Sequence, residues 1–416
     1  MQTQSDIHNS KVEDKGRRKM KPRTILSTIL VVIVAVGIVL TVWQLTKPSF
    51  ANVNQELEYI VNDQVKSNKH IKNCLVYVTR GDGSFTWSGA AGIAKQDGQV
   101  PMTQDTPIYL ASITKLYTAA AIMRLSEQGA LALDDPMAKY LPDDLIRGIH
   151  VYQGHDYSHE ITIAQLLAHT SGIADYYSEK SKNGKTFFET FVSDQNRRWT
   201  VDETIARVRN DMVPNFKPGT SASYSDTNYQ LLGKIIESVT GKPLQVVYDE
   251  FFLRQLGLKH TWLVGRSKPQ VEPSAAIADV FSKDMNITRI RANGSYWADG
   301  GMVSTAEDAV IFLKALNEGR IVSKDTLKLM HNWRQLRNMP FQYGYGTMYF
   351  EIPSFINWVT KVPPVWGHTG STGAFLYYAE DLDLYMAGTI DQTEDKVAPI
   401  MLMIKVMQAI ARANIS

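Results

Sequence analysis

A serine and a lysine three residues apart, Ser112 and Lys115, open a segment at 117–123 with the composition of a helix. Residues at positions i and i+3 share a helical face, so the amine can approach the hydroxyl. A serine at a helix N-terminus also lies near free backbone N–H groups, which stabilise a developing oxyanion. The spacing therefore indicates nucleophilic catalysis, although a helix cap beside a solvated lysine is the commoner origin of such a pair on its own.

A second polar group, Tyr224-Ser225-Asp226, precedes another helical segment at 231–237. A tyrosine held on a loop can accept a proton from a serine hydroxyl where nearby cations favour the phenolate. The alternative is an ordinary tyrosine that packs beneath its loop. Asp226 adds a carboxylate, which accepts hydrogen bonds and, when ionised, donates none.

The third group, His368-Thr369-Gly370-Ser371, leads into a predicted strand at 374–378. Glycine in such a segment lets the backbone come close to a ligand, and the histidine and threonine offer polar contacts. The alternative is a glycine-rich turn between two strands. Each group is modest evidence by itself, whereas all three in this order rarely arise by chance.

The three groups together resemble the motifs of the serine β-lactamase and D,D-peptidase superfamily, in its class C β-lactamase and D-alanyl-D-alanine carboxypeptidase branch. Two further stretches, 166–172 and 299–305, look like that family's, and the resemblance covers about 54–415. It implies an α/β fold of the β-lactamase/transpeptidase type, with an antiparallel sheet flanked by the terminal helices and a helical lobe beside it. The site would lie between the sheet and the lobe.

By this resemblance, Ser112 is the acylated nucleophile and Lys115 is its partner in proton transfer. Tyr224 acts as the base and then as the acid toward the leaving group. The backbone N–H groups of Ser112 and Ser371 form the oxyanion hole, and His169 in the 166–172 stretch is structural. The residues that the resemblance assigns to substrate binding are Asp226, His368, Thr369, Gly370 and Ser371.

Two positions depart from the family's usual pattern. The third motif often begins with lysine, and here it begins with His368, as in the peptidase and esterase branches. The second motif usually ends in asparagine, and here it ends in Asp226. A carboxylate at this place would repel a substrate carbonyl and attract an ammonium group, or it would pair with Lys115 and keep that lysine charged. With an aspartate at this position, the chain also resembles teichoic-acid D-alanyl esterases. The ester substrates of those enzymes carry a free ammonium.

The elements that must position these groups begin near the N-terminus with an amphipathic helix at 54–70. Two strands follow, at 73–79 and 84–92, and the Gly81-Asp82-Gly83 sequence between them predicts a hairpin. Strands return near the C-terminus at 374–379 and 382–391, and a final helix is predicted at 395–412. Strands at both ends of the chain indicate one sheet that is closed by both termini.

Between these strands, helical patterns dominate from residue 112 to about residue 256, interrupted by a polar stretch at 178–200. Ser304 and Glu307 have the spacing of a capping box and predict a helix that ends near Gly319. This middle part of the chain is therefore expected to be a helical insertion into the sheet.

The composition is that of a globular protein, with 21% charged and 44% hydrophobic residues in 416, which excludes extensive disorder. The chain has 44 basic and 42 acidic residues, and seven of the basic and three of the acidic ones lie in 1–23. The remainder therefore holds 37 basic and 39 acidic residues. Because a nearly neutral body lacks the basic surface that nucleic-acid binding requires, nucleic acid is not expected as a partner.

Cys74 is the only cysteine, so neither an intrachain disulfide nor a cysteine-rich metal site can form. It falls in an apolar strand, where a core role is expected rather than a nucleophilic one. One polar stretch at 148–161 contains His150, His155, His159 and Glu160. The alternatives for this stretch are a metal site and a solvated loop, and the lack of a helical frame favours the loop. No cofactor or metal is implied.

Residues 25–45 carry no charge and are long enough to span a bilayer. The basic residues precede this segment, so the positive-inside rule predicts a cytoplasmic tail at 1–23 and an extracytoplasmic body. The predicted organisation is the tail, a transmembrane signal-anchor at 24–46, and a β-lactamase-like serine hydrolase domain at 47–416. The alternative is a signal peptide cleaved near Ala51.

The expected function is that of a membrane-anchored serine hydrolase that acts outside the cell membrane through an acyl-serine intermediate. Its expected substrates are D-alanyl groups of the cell envelope, as esters on teichoic acid or as amides in peptidoglycan stems. The alternatives are β-lactamase-like or general esterase activity, with β-lactams as ligands, and a non-catalytic penicillin-binding or sensor module.

Overall fold

The computed structural model describes residues 42, 46–197, 199–288, 295–337, 339, 341–352, 357 and 361–413. The basic tail and all of the predicted anchor except residues 42 and 46 lie outside the described residues. In the part of the chain that is described, no helix is both long enough and apolar enough to cross a membrane.

A nine-stranded antiparallel sheet forms the middle layer, in the order β11-β12-β13-β14-β15-β16-β1-β2-β3. Small sheets, β4-β10-β7, β5-β6 and β8-β9, accompany it. The strands are β1 Asn73–Arg80, β2 Thr86–Lys95, β3 Val100–Pro101, β4 Ile108–Tyr109, β5 Val151–Tyr152, β6 His155–Asp156, β7 Trp262–Leu263, β8 Phe281–Ser282, β9 Met285–Asn286, β10 Met302–Ser304, β11 Arg334–Gln335, β12 Gln342–Tyr343, β13 Met348–Phe350, β14 Val365–Thr369, β15 Phe375–Ala379 and β16 Leu384–Thr389.

The two ends of the chain meet in this sheet, as the sequence predicts. Strand β1 pairs with β16, with Leu75 opposite Thr389, and also with β2 through the predicted hairpin. Because successive side chains of a strand point to opposite faces, Cys74 and Val76 enter one core while Leu75 enters the other. The sheet therefore separates two hydrophobic layers.

Helices cover both faces. The helices are α1 Val53–Ser67, α2 Thr114–Glu127, α3 Asp143–Ile146, α4 Ile163–Leu167, α5 Phe187–Ser193, α6 Val201–Asp211, α7 Asp226–Thr240, α8 Leu244–Tyr248, α9 Arg254–Leu256, α10 Ala306–Asn317, α11 Lys324–Met330 and α12 Ala398–Arg412. The terminal helices α1 and α12 pack together on the face of the sheet that contains Cys74 and Val76. Helix α10 covers the other face, where the lobe built from α2 to α9 adjoins it.

Two local predictions differ from the structure. The cap of α10 is Thr305, whose hydroxyl accepts the Asp308 N–H at 3.3 Å, and not Ser304. Ser304 ends β10, and its buried hydroxyl contacts Thr261 instead. The predicted polar interruption at 178–200 contains helix α5, which a capping box at Thr186 begins. The sequence pattern does not predict helix α5, because only two of its side chains are buried in the core.

Cys74 is buried in β1, and burial raises the pKa of its thiol, so it stays protonated. The histidine-rich stretch is only partly a solvated loop. His155 and His159 are exposed and pair with Glu160 and Asp143, whereas His150 is fully buried and donates to the carbonyl oxygen of Phe216 at 2.9 Å. Within the described ranges, no three histidine, cysteine, aspartate or glutamate side chains are grouped to hold a metal ion.

Candidate active site

Ser112 lies in a short 3₁₀ turn, Ala111–Ile113, that runs directly into α2. Ala111 has a left-handed φ of 46°, a conformation that L-residues with a side chain rarely adopt. The end of β14 packs against this turn, since a Cβ on Gly370 would lie 2.4 Å from the carbonyl oxygen of Leu110. Glycine at this position therefore allows the third motif to meet the nucleophile.

Lys115 is fully buried beneath the serine. Its Nζ lies 3.1 Å from Ser112 Oγ, 2.5 Å from Asp226 Oδ1 and 2.6 Å from the carbonyl oxygen of Asp299. An ammonium group has three protons to donate, and these three acceptors account for all of them. The structure thus places Asp226 in an ion pair with the lysine, and the lysine in contact with the nucleophile.

Two further carboxyls surround this ion pair. Asp226 begins α7, and its N–H donates to Asp175 Oδ1 at 3.0 Å. The carboxylate of Asp299 accepts from the Tyr176 hydroxyl at 2.8 Å and from Gln230 at 2.9 Å. Burial, followed by the charge of Asp226, raises the pKa of Asp299 and raises that of Asp175 to about 7. Asp226 and Asp299 both line the cleft, and Asp226 does so while it is paired with Lys115.

Tyr224 packs beside the lysine, with Lys115 Nζ 5.0 Å from the centre of its ring. Its buried hydroxyl interacts with the side chain of Ser112. Burial, followed by the charge of Asp226, raises the pKa of Tyr224 well above 10. The resting protein therefore holds this side chain as a neutral phenol, which suits the acid role that the resemblance gives it better than the base role.

The third motif contributes less to the site than its sequence suggests. His368 is fully buried, with Nδ1 2.7 Å from the carbonyl oxygen of Thr369 and Nε2 3.1 Å from the Tyr343 hydroxyl. Burial lowers the pKa of His368 to about 3, so the ring is neutral. The hydroxyl of Thr369 donates to Met348 Sδ at 3.4 Å. Of the four motif residues, only Ser371 lines the cleft.

A cleft lies over the serine. Ser112, Asp226 and Ser371 line its polar side. No lysine or arginine is among the described residues that line it. Its apolar wall consists of Tyr109, Tyr177, Val264, Val280, Ile287 and Tyr296.

Sequence reasoning assigned no role to two residues of this site. The backbone carbonyl of Asp299 accepts a hydrogen bond from Lys115. In the sequence, the 299–305 stretch only resembles a stretch of the family and indicates no such contact. Asp175 accepts the N–H that begins α7, and no motif marks it. The structure brings Ser112, Lys115, Tyr224 and Asp226 together, and it leaves His368 outside the cleft lining.

The site places Ser112 in a 3₁₀ turn and Lys115 in the first turn of the helix that follows, beside an antiparallel sheet. The model of the Beta-lactamase family matches residues 63–401, and the chain belongs to this family. The family and the β-lactamase/transpeptidase-like fold predicted from the motifs are thereby confirmed.

Several relatives are hydrolases by name. A putative D-alanyl-D-alanine carboxypeptidase of Escherichia coli K12 is 28% identical over 344 residues, which are 70% of this chain and 72% of that protein. Esterase EstB of Burkholderia gladioli is 31% identical over 201 residues, which are 48% of this chain and 49% of the esterase. The chain thus spans about half the length of the esterase.

Solved structures agree with the fold. A D-stereospecific amidohydrolase from Streptomyces sp. has a TM-score of 0.66 and 28% identity, covering 85% of this chain and 98% of that one. The D-amino acid amidase of Ochrobactrum anthropi SV3, in complex with D-phenylalanine, has a TM-score of 0.71 and 22% identity, covering 87% and 99%. At that identity the amidase supports the fold alone.

Proposed function

We propose that this protein hydrolyses D-aminoacyl bonds through an acyl-Ser112 intermediate, and that D-alanyl esters of the cell envelope, such as those on teichoic acid, are its substrates. The observation that carries the proposal is Asp226, a carboxylate that lines the cleft beside the nucleophile while it pairs with Lys115. A D-alanyl ester has an ammonium group next to the scissile carbonyl, which this carboxylate would attract.

The names of the relatives support the same chemistry, since they include a carboxypeptidase for D-alanyl-D-alanine, a D-stereospecific amidohydrolase and an esterase. An ester is favoured over a D-alanyl-D-alanine peptide for two reasons. The first is the carboxylate of Asp226 in the cleft lining, which would attract the free ammonium of a D-alanyl ester. An alcohol also needs less protonation than an amine in order to leave.

In the proposed reaction, Ser112 Oγ attacks the carbonyl carbon and forms an ester bond as the alcohol departs. Tyr224 takes the serine proton as it gives its own proton to the leaving oxygen, and the ammonium of Lys115, which contacts Ser112 Oγ, stabilises the charge that develops there. The backbone N–H groups of Ser112 and Ser371 would stabilise the oxyanion. Water then hydrolyses the acyl-serine by the reverse route, releasing D-alanine.

We expect the wild-type protein to prefer a D-alanyl ester over its N-acetylated form, and the Asp226→Asn variant to lose or reverse that preference. A charge-assisted hydrogen bond contributes about 1.5–3 kcal/mol, which corresponds to a selectivity of roughly 10- to 150-fold. The measurement is kcat/KM for both esters with both proteins.

A matched control is Asp202→Asn, which removes an exposed carboxylate that pairs with Lys234 on the same lobe. This variant should keep the wild-type preference. If Asp226→Asn slows both esters equally, Asp226 serves proton transfer alone, and the D-alanyl ester assignment loses its main support. Acylation by β-lactams but by no D-alanyl compound would favour a penicillin-binding module instead.

We further propose that the predicted anchor keeps the body at the outer face of the cell membrane. The residues that follow this segment are held against the body, because Lys47 and Arg412 both pair with the buried carboxylate of Glu56. Helices α1 and α12 would then lie near the membrane surface.

Protease added to intact protoplasts should digest the body and spare a tag fused to the N-terminus. The physical reason is the excess of basic residues before the apolar segment. The same protease should cleave the tag after detergent lysis, which serves as the control. A tag that is cleaved on intact protoplasts, or a mature protein that begins near Ala51, would contradict the anchor.

A further inference from the structure

His169 lies just after α4, at the centre of the helical lobe, and its side chain is fully buried. Its backbone is left-handed, with a φ of 56°. A residue with a Cβ keeps this conformation only where its surroundings enforce it, and such positions concentrate at functional sites. The surroundings of His169 are the loop that carries Tyr224.

The two backbone N–H groups on either side of Tyr224 both donate to His169. The Ser223 N–H donates to the His169 carbonyl oxygen at 2.9 Å, and the Ser225 N–H donates to the ring Nδ1 at 3.1 Å. The imidazole also packs against the phenol, with the ring centres 4.3 Å apart. His169 therefore fixes the backbone on both sides of Tyr224 and also packs against the Tyr224 ring.

The Tyr224 hydroxyl interacts with the Ser112 side chain, so the placement of the phenol beside that serine depends on these backbone and ring contacts. The chemical state of His169 is also defined. Because Nδ1 accepts from Ser225 and lies 3.3 Å from the Asn228 amide nitrogen, the ring proton is on Nε2. Burial, followed by the charge of Lys115, lowers the pKa of His169 well below 6.5, which keeps the ring neutral.

We propose that His169 is the positioning residue for Tyr224, fixing the phenol for proton transfer without contacting the substrate itself. The inference rests on the proposed acyl-serine function. Its physical requirement is a side-chain acceptor at the place of Nδ1 together with a left-handed backbone. Asparagine meets both requirements, since its Oδ1 has a similar reach and asparagine tolerates this conformation better than most residues.

The test compares His169→Ala with His169→Asn. We expect His169→Ala to lower kcat about 100-fold with little change in KM, because misplacement of a catalytic group by about 1 Å has an effect of that size. His169→Asn should recover most of the loss. If His169 were merely structural, the loss of kcat in His169→Ala would parallel a loss of thermal stability. Asparagine would then not restore kcat selectively.

A double variant provides the second readout. If His169 acts only through Tyr224, adding His169→Ala to Tyr224→Phe should lower kcat no further, since the proton donor is already absent. His331→Ala is the control, because His331 is a half-buried histidine that stacks on Trp333 and does not line the cleft. It should lower the melting temperature and leave kcat unchanged.

An additive loss in the double variant, or an unchanged kcat in His169→Ala, would overturn the positioning role. Intact-mass detection of the acyl adduct separates this failure from failure of the proposed function. Wild-type protein that never forms an adduct on Ser112 refutes the function, whereas wild-type protein that forms one while His169→Ala turns over normally refutes the positioning role alone.

Discussion

Ser112→Ala is expected to abolish turnover of D-alanyl esters and labelling by fluorophosphonate or β-lactam probes. The serine oxygen is the one that Lys115 contacts at the mouth of the cleft, and the variant removes the atom that forms the acyl bond. Loss of the nucleophile in a serine hydrolase lowers kcat by about 10⁴-fold or more. The measurements are steady-state rates and intact mass after reaction with each probe.

Ser88→Ala provides a control for this experiment, since that hydroxyl contacts Gln104 on the sheet and lies away from the cleft. It should be labelled as the wild type is. Peptide mapping should place the adduct on Ser112. Turnover that persists in Ser112→Ala would exclude the covalent mechanism.

The Lys115→Met variant should lose activity by several orders of magnitude, on the order of 10³-fold or more, because the residues of one proton-transfer unit fail together. Methionine fills a similar volume but leaves the Asp226 carboxylate without its cation. Breaking a buried ion pair by removing one partner destabilises a protein by about 3–5 kcal/mol. We therefore expect a lower free energy of unfolding together with the lost activity.

A double variant, Lys115→Met with Asp226→Asn, separates these two effects. Removing the unpaired carboxylate should restore much of the stability and none of the activity. Denaturant unfolding and kcat/KM on the same preparations provide the comparison. If the double variant remains as unstable as Lys115→Met, the ion pair is not what stabilises this part of the lobe.

Local sequence signals predicted much of this molecule. The hairpin at Gly81-Asp82-Gly83 and the buried strand that contains Cys74 depend on neighbouring residues, and both are observed. Ser112 and Lys115 could be paired from their spacing because a helix fixes which residues share a face. No spacing rule connects Ser112 and Lys115 with Tyr224. That connection came from the resemblance of the three motifs, in their order, to those of the family.

What the sequence could not predict depends on tertiary packing. Whether His368 faces the cleft or the core is decided by the register of β14 against β15, and a strand can present a residue to either side. The third partner of Lys115 is a main-chain carbonyl of Asp299, which no pattern of side chains reveals. The contacts of His169 likewise come from a backbone more than fifty residues further along.

The pairing of β1 with β16 determines when this protein can fold. During synthesis β1, which ends at Arg80, emerges long before β16, which begins at Leu384, so one edge of β1 has no native partner until β16 emerges. An unpaired apolar strand edge is a template for aggregation, and a nascent chain that exposes one depends on chaperones. A chain that stops before Leu384 would therefore be degraded rather than partly active, even though the serine, the lysine and the tyrosine of its site are all present.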